Sequence, residues 1–130
     1  MLSEKPWFVK FFAPWCPHCQ HMAATWEDFH AKHKTELNVA SVDCTSIGGN
    51  PLCQSFGIRG YPTLLFMPGK GKDFFRFEGS RSVESFEKFS LQEGWKSAAS
   101  EEIGSHKTLF EQFVKPVTDA VIDKLKNGFL

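Results

Sequence analysis

The chain has 130 residues, the length of one ordinary domain, and its 42% apolar content, with 14 Phe and 4 Trp, excludes a disordered polymer. Fifteen basic residues balance fifteen acidic ones, so nothing in the charge calls for nucleic acid or an anionic membrane surface as a partner. No apolar run approaches the roughly 18–20 residues of a membrane span, and membrane contact is not indicated.

Trp7 to Phe12 is a short, nearly continuous apolar run of the kind that forms a buried strand. It contains Lys10 and leads straight into a cysteine motif, so it does not read as a signal peptide, and no targeting signal is expected in this chain. Pro17 suits the first position of a helix, where its missing N–H costs nothing. Behind it Cys19, Met22, Ala23, Trp26, Phe29, His30 and His33 recur at three- and four-residue steps, which predicts an amphipathic helix to about Lys34. Leu37 to Asp43 reads as a second strand. Gly48, Gly49, Asn50 and Pro51 break the chain, and a short helix is expected over Leu52 to Phe56. Thr63 to Met67 is a third strand, Pro68 to Gly71 a turn, and Phe74 to Glu78 a fourth strand antiparallel to the third. Ser82 caps a helix through about Leu91, with Val83, Phe86 and Phe89 inward.

This order predicts an α/β domain over residues 1–92, a mixed sheet with helices on both faces. Residues 93–105 are polar and read as a linker. Over 106–130 a second amphipathic helical pattern (Leu109, Phe110, Phe113, Val114, Val117, Val121, Ile122, Leu125) is interrupted by Pro116, which should kink or split it.

Four cysteines fall into a tight pair, Cys16 and Cys19, and a wider one, Cys44 and Cys53; they allow three pairings, among which sequence does not choose. The tight pair carries the chemistry. Disulfide exchange needs a thiolate to attack and a second thiol near enough to resolve the mixed disulfide. Cys16 stands at a helix N-terminus, where unpaired N–H groups and the dipole favour its anion, and Cys19 lies one turn inside. His18 adds a donor or charge beside the sulfur. The competing reading is a zinc site completed by Cys44 and Cys53. His30 and His33, spaced like metal ligands, have no carboxylate or cysteine placed to complete a site, and no metal or cofactor is expected.

Phe11-Phe12-Ala13-Pro14-Trp15-Cys16-Pro17-His18-Cys19, Val42-Asp43-Cys44-Thr45, Gly57-Ile58-Arg59-Gly60-Tyr61-Pro62-Thr63 and Phe77-Glu78-Gly79-Ser80-Arg81 together resemble the catalytic domains of protein disulfide isomerases. The resemblance implies a thioredoxin-like fold that forms, breaks or isomerises disulfides in unfolded or disulfide-containing client proteins. It implies glutathione or an upstream thiol oxidase as redox partner, and the endoplasmic reticulum lumen or another secretory compartment as location. Carried over residue by residue, Cys16 is the nucleophile and Cys19 the resolving thiol. Pro62 is a cis-proline beside them, and Tyr61 pairs with extended substrate. Arg81 is either an arginine that tunes the resolving cysteine or a solvated surface group. Apart from the resemblance, Trp15 and Tyr61 flank the cysteines and read either as an apolar platform for clients or as core-packing aromatics. The resemblance also implies a structural disulfide between Cys44 and Cys53, with two buried free thiols or a second redox pair as alternatives.

Departures from the family pattern are specific. Pro17-His18 replaces the usual Gly-His between the cysteines, as in the bacterial periplasmic oxidase of the same fold, and by analogy points to a more oxidising couple. Lys10 stands where relatives often carry a buried Glu; a lysine there stabilises thiolates, titrates with a lowered pKa, or extends to solvent. Ala24 replaces a helix-kinking proline. Only fifteen residues precede Cys16, so the first β-α unit of the fold is expected to be abbreviated or missing. The chain ends Asn127-Gly128-Phe129-Leu130 without a Lys-Asp-Glu-Leu-type signal, so residence in the endoplasmic reticulum requires an anchor, a partner or further residues. A module that binds clients or a partner with little redox turnover is the alternative to an enzyme.

Overall fold

The computed structural model describes residues 5–69 and 73–103. Strand β1 (Trp7–Phe12) leads into helix α1 (Pro17–His33), followed by β2 (Asn38–Asp43), α2 (Gly49–Ser55), β3 (Thr63–Met67), β4 (Asp73–Arg76), α3 (Val83–Ser90), a 3-10 turn (Gly94–Ser97) and β5 (Ser100–Glu102). The five strands form one sheet in the order β2-β1-β3-β4-β5. β1 runs parallel to β2 and antiparallel to β3, with Lys10 level with Ser41 on one side and Leu64 on the other.

The continuous apolar run of β1 has its reason in this sheet, because both faces of the strand are covered. Trp7, Val9 and Phe11 point to one side and pack with Leu52, Cys53 and Phe56 around α2. Phe8 points to the other and packs with Met22, Trp26 and Phe29 of α1 and Phe86 and Phe89 of α3. Its ring meets Trp26 edge-on at 5.1 Å and Phe29 at 5.8 Å, the arrangement that ring quadrupoles favour. The helices therefore lie on both faces of a mixed sheet, as the element order implied. α1 passes through Ala24 as one unbroken helix.

α2 starts at Gly49, three residues before the expected Leu52, because Ser46 organises the turn. Its hydroxyl accepts from Gly49 N–H at 2.8 Å, and Asn50 N–H reaches its carbonyl at 2.9 Å. Pro51 then falls in the first turn, where proline is tolerated. A Cβ on Gly49 would stand 2.0 Å from the Asp43 carbonyl oxygen, so only glycine fits there.

The stretch read as a linker is structured over most of its length. Trp95 of the 3-10 turn packs on Phe75 and Phe66 at 5.0 and 5.5 Å, and Ser100–Glu102 adds an antiparallel strand to β4. Arg76 Nε donates to Glu101 at 2.6 Å and its Nη2 to the Phe56 carbonyl at 3.1 Å, tying the new edge to the end of α2. Three polar residues on an outer strand bury too little to show as a pattern. The helical segment expected over 106–130 lies outside the described residues. Among the described residues β1 is the first element and no strand pairs with the outer edge of β2; none of the helices is long and apolar enough to cross a membrane.

Candidate active site

β1 delivers the cysteine pair to one end of the sheet. After Phe12 the chain turns, closed by a bond from Cys16 N–H to the Ala13 carbonyl at 3.1 Å, and α1 begins. Cys16 is the N-cap residue, with extended dihedrals and no side-chain cap, and Pro17 occupies the first turn. No hydroxyl or carboxylate therefore competes for the first N–H groups of the helix, and the sulfur is the group nearest to them. Both thiols are free, Cys16 and Cys19 alike 5% exposed.

The two sulfurs are driven apart in acidity. Burial pushes the Cys16 thiol up, but the Cys19 thiol, the N–H groups of Cys19 and His18 and the Arg81 charge outweigh it and hold Cys16 below the ordinary thiol value. Burial pushes Cys19 above that value and the Cys16 sulfur adds to the effect, against opposing contributions from Ala13 and the Lys10 ammonium. This is the division exchange needs: one sulfur ionised to attack, the second kept protonated until its turn.

The other residues singled out from the sequence gather here to different degrees. The cis Tyr61–Pro62 bond lies alongside, with the Cys16 thiol 3.5 Å from the Tyr61 carbonyl oxygen. Trp15, 66% exposed, meets the Tyr61 ring edge-on at 5.9 Å. Arg81 is exposed and reaches Cys16 through its charge alone. His18 is exposed, and its backbone N–H rather than its ring acts on Cys16. Lys10 is buried beneath the pair, its ammonium 5.1 Å from the centre of the Phe12 ring. Burial lowers its pKa, against the Glu27 carboxylate and the Cys19 sulfur, which favour the charged form.

Cys44 and Cys53 are joined by a disulfide, Cα atoms 5.8 Å apart. Bonded to one another, they offer no thiolate to a metal, and among the described residues no three His, Cys, Asp or Glu side chains cluster as a metal site. Cys44 N–H also donates to the Phe12 carbonyl at 2.9 Å, which sets the disulfide loop beside the loop of Cys16.

The family model for thioredoxin matches residues 1–92. The chain belongs to the thioredoxin family. A thioredoxin domain-containing protein of Theileria parva is 48% identical to it over 85 residues, covering 65% of this chain and 37% of the relative. Protein disulfide-isomerase 5-1 of Arabidopsis thaliana is 34% identical over 98 residues, covering 74% of this chain and 65% of the relative. The chain thus spans less than two thirds of either relative. Among solved structures, the J-Trx1 fragment of ERdj5 matches with a TM-score of 0.63 and 32% identity, over 71% of this chain and 44% of that one. The sheet and helices described above are those of a thioredoxin domain.

Two features of this thioredoxin domain escaped the sequence reading. His33, read as a helix-face residue with no carboxylate placed beside it, has Nδ1 2.5 Å from Glu36 and Nε2 2.6 Å from Glu87, bridging the end of α1 to α3. Ile47, without a reading from the sequence, stands 96% exposed in the loop that follows β2. The first depends on a partner 54 residues away; the second carried a signal, an isoleucine among Thr, Ser and Gly in a loop.

Proposed function

We propose that this domain is a dithiol–disulfide oxidoreductase acting on proteins. The observation that carries the reading is the unequal pair itself: a lowered-pKa Cys16 at the start of α1, one helical turn from a raised-pKa Cys19. In the reducing direction the Cys16 thiolate attacks one sulfur of a client disulfide, forming the Cys16–client bond and releasing the other client sulfur as a thiolate that takes up a proton. Cys19, once deprotonated, attacks the Cys16 sulfur; the mixed disulfide breaks, and the client leaves with both sulfurs reduced while Cys16–Cys19 is oxidised. Oxidation of a client dithiol is the same path reversed.

Relatives named protein disulfide-isomerase support protein disulfides as substrate. Pro17-His18 favours the oxidising direction. Glutathione or a thiol oxidase would restore the disulfide form. A secretory compartment, the endoplasmic reticulum lumen first among them, accords with the Cys44–Cys53 bridge, since such bonds persist in oxidising surroundings. Trp15, Tyr61 and Pro62 form the client platform, Arg81 assists the thiolate, and Lys10 acts on Cys19 from below.

The test is a trap. Cys19→Ser protein mixed with an oxidised client should accumulate a Cys16–client adduct visible on a non-reducing gel, and Cys16→Ser protein should give none. A Cys16→Ser/Cys19→Ser double variant that keeps full activity in client refolding would replace the enzyme by a binding module.

A further inference from the structure

Strand polarity collects several loops at one end of the sheet. β1 and β2 are parallel, so the loops leaving them, residues 13–16 and 44–48, share that end. β3 is antiparallel to β1, so the loop entering it, with Tyr61, comes to the same place. Among the described residues the exposed large apolar side chains are Trp15 and Ile47, and both lie there.

The loop that holds Ile47 is tightly built. Thr45 donates to the Asp43 carboxylate from its backbone N–H at 2.9 Å and from its hydroxyl at 2.6 Å. Ser46 hydroxyl donates to the Asp43 carbonyl at 2.8 Å, Asn50 Nδ2 to the Cys44 carbonyl at 3.3 Å, and the Cys44–Cys53 disulfide closes the base. A slack loop would fold its isoleucine against the nearest apolar wall. This one is prevented from doing so and keeps the side chain in water, at a cost recovered only when something covers it.

We propose that the disulfide-stapled loop is a second client-contacting element, in which Ile47 shares the reactive end of the sheet with Trp15 and seats an apolar side chain of an extended client segment a few residues from its reacting cysteine. The inference rests on the exchange activity proposed above and names its preferred substrate class. The occupant is a client segment because the loop of Ile47 leaves the same end of the sheet as the loop of Cys16, and the bond from Cys44 N–H to the Phe12 carbonyl holds the bases of the two loops together. A second copy of the chain is disfavoured by area: two side chains fall far short of the roughly 1,000 Å² that a stable interface buries. Held in advance, the isoleucine is covered with little ordering cost on binding.

The experiment compares two disulfide-linked peptides, identical except for Leu or Ser two residues from the cysteine, in wild type and Ile47→Ser. The wild type should prefer the Leu peptide, and Ile47→Ser should shrink that preference in kcat/KM about tenfold, through KM rather than kcat. In the Cys16→Ser/Cys19→Ser background, where no exchange occurs, affinity for the reduced Leu peptide should fall by a similar factor when Ile47→Ser is added. An unchanged preference together with unchanged affinity overturns the seat. So does a wild-type dimer in sedimentation that Ile47→Ser converts to monomer, which would assign the patch to a second copy. A wild type that exchanges with neither peptide, while still binding the Leu peptide through Ile47, overturns the catalytic reading and leaves the seat standing.

Discussion

The Cys16 sulfur lies 3.5 Å from the carbonyl oxygen of Tyr61, at the cis bond to Pro62. The thiol donates to that oxygen, and the thiolate has no use for it. Ionisation therefore frees a backbone acceptor at the moment the sulfur becomes reactive. The acidity of Cys16 thus governs both its reactivity and whether that acceptor is free.

Cys16 should be alkylated by iodoacetamide at pH values below the ordinary thiol range of about 8.5. Arg81→Gln removes one of the charges that favour the anion and should move the midpoint of the rate profile upward. The linked effect on stability has a definite sign. A thiol depressed in the folded state stabilises the reduced protein fully above its unfolded value and loses that contribution as pH falls through the lower folded value. The reduced wild type and reduced Cys16→Ser should therefore converge in thermal midpoint on acidification; a gap that widens would contradict the assignment.

Lys10 is a buried amine with its pKa lowered by burial, although Glu27 and Cys19 pull it the other way. Between its lowered folded value and its unfolded value the unfolded chain binds the extra proton, so the cost to stability is full below the folded value and fades as pH rises towards the unfolded one. Lys10→Met should raise the melting temperature near pH 7. It should also slow resolution of the mixed disulfide, because the ammonium is one of the groups that lower the Cys19 pKa. The adduct, quenched with acid and separated on a gel, should persist longer than in wild type.

His33 sits with a carboxylate at each ring nitrogen, an arrangement in which both nitrogens must donate. Burial lowers its pKa, but the hydrogen bonds and charges of Glu87 and Glu36 outweigh it, and the net shift is upward. Lys32 joins the same group at 2.8 Å from Glu87. A raised folded pKa gives stability that is complete below the unfolded value of about 6.5 and is lost as pH rises through the folded value. His33→Gln should thus be most destabilising near pH 6 and progressively less so in alkali, measured by thermal melts across that range.

The Cys44–Cys53 disulfide spans a separation of nine residues. In the chain-entropy account, closing so short a loop contributes about 2–3 kcal/mol. Cys44→Ala/Cys53→Ala should lower unfolding free energy in urea by about that amount while leaving a thiol count of two in the reduced protein. A loss near zero would mean that the hydrogen bonds around Asp43 and Ser46 already fix the loop.

What the sequence disclosed was local. The covered faces of β1 showed as an unbroken apolar run, and the inward side of α1 as three- and four-residue spacing. The position of Cys16 at a helix start followed from Pro17. What it concealed was long-range. β5 exists because Arg76 reaches Glu101 and Trp95 packs on Phe66 and Phe75, pairings that leave no periodic mark on three polar residues. The clamp on His33 needs a glutamate from another helix. Spacing alone left three pairings open for Cys44, and the bond to Cys53 that the family resemblance implied is the one the fold makes.

Among the described residues β1, like β3 and β4, has a neighbour on each side, whereas β2 and β5 are the outer strands. Amide exchange with solvent should accordingly begin at those outer strands and reach the inner strands, β1 among them, later. The segment that launches the reactive sulfur then belongs to the slower-breathing interior of the sheet. A domain that alternates between two separate thiols and one short covalent bridge keeps its fixed reference in that strand, and the give needed for each redox turn falls to the first turn of α1.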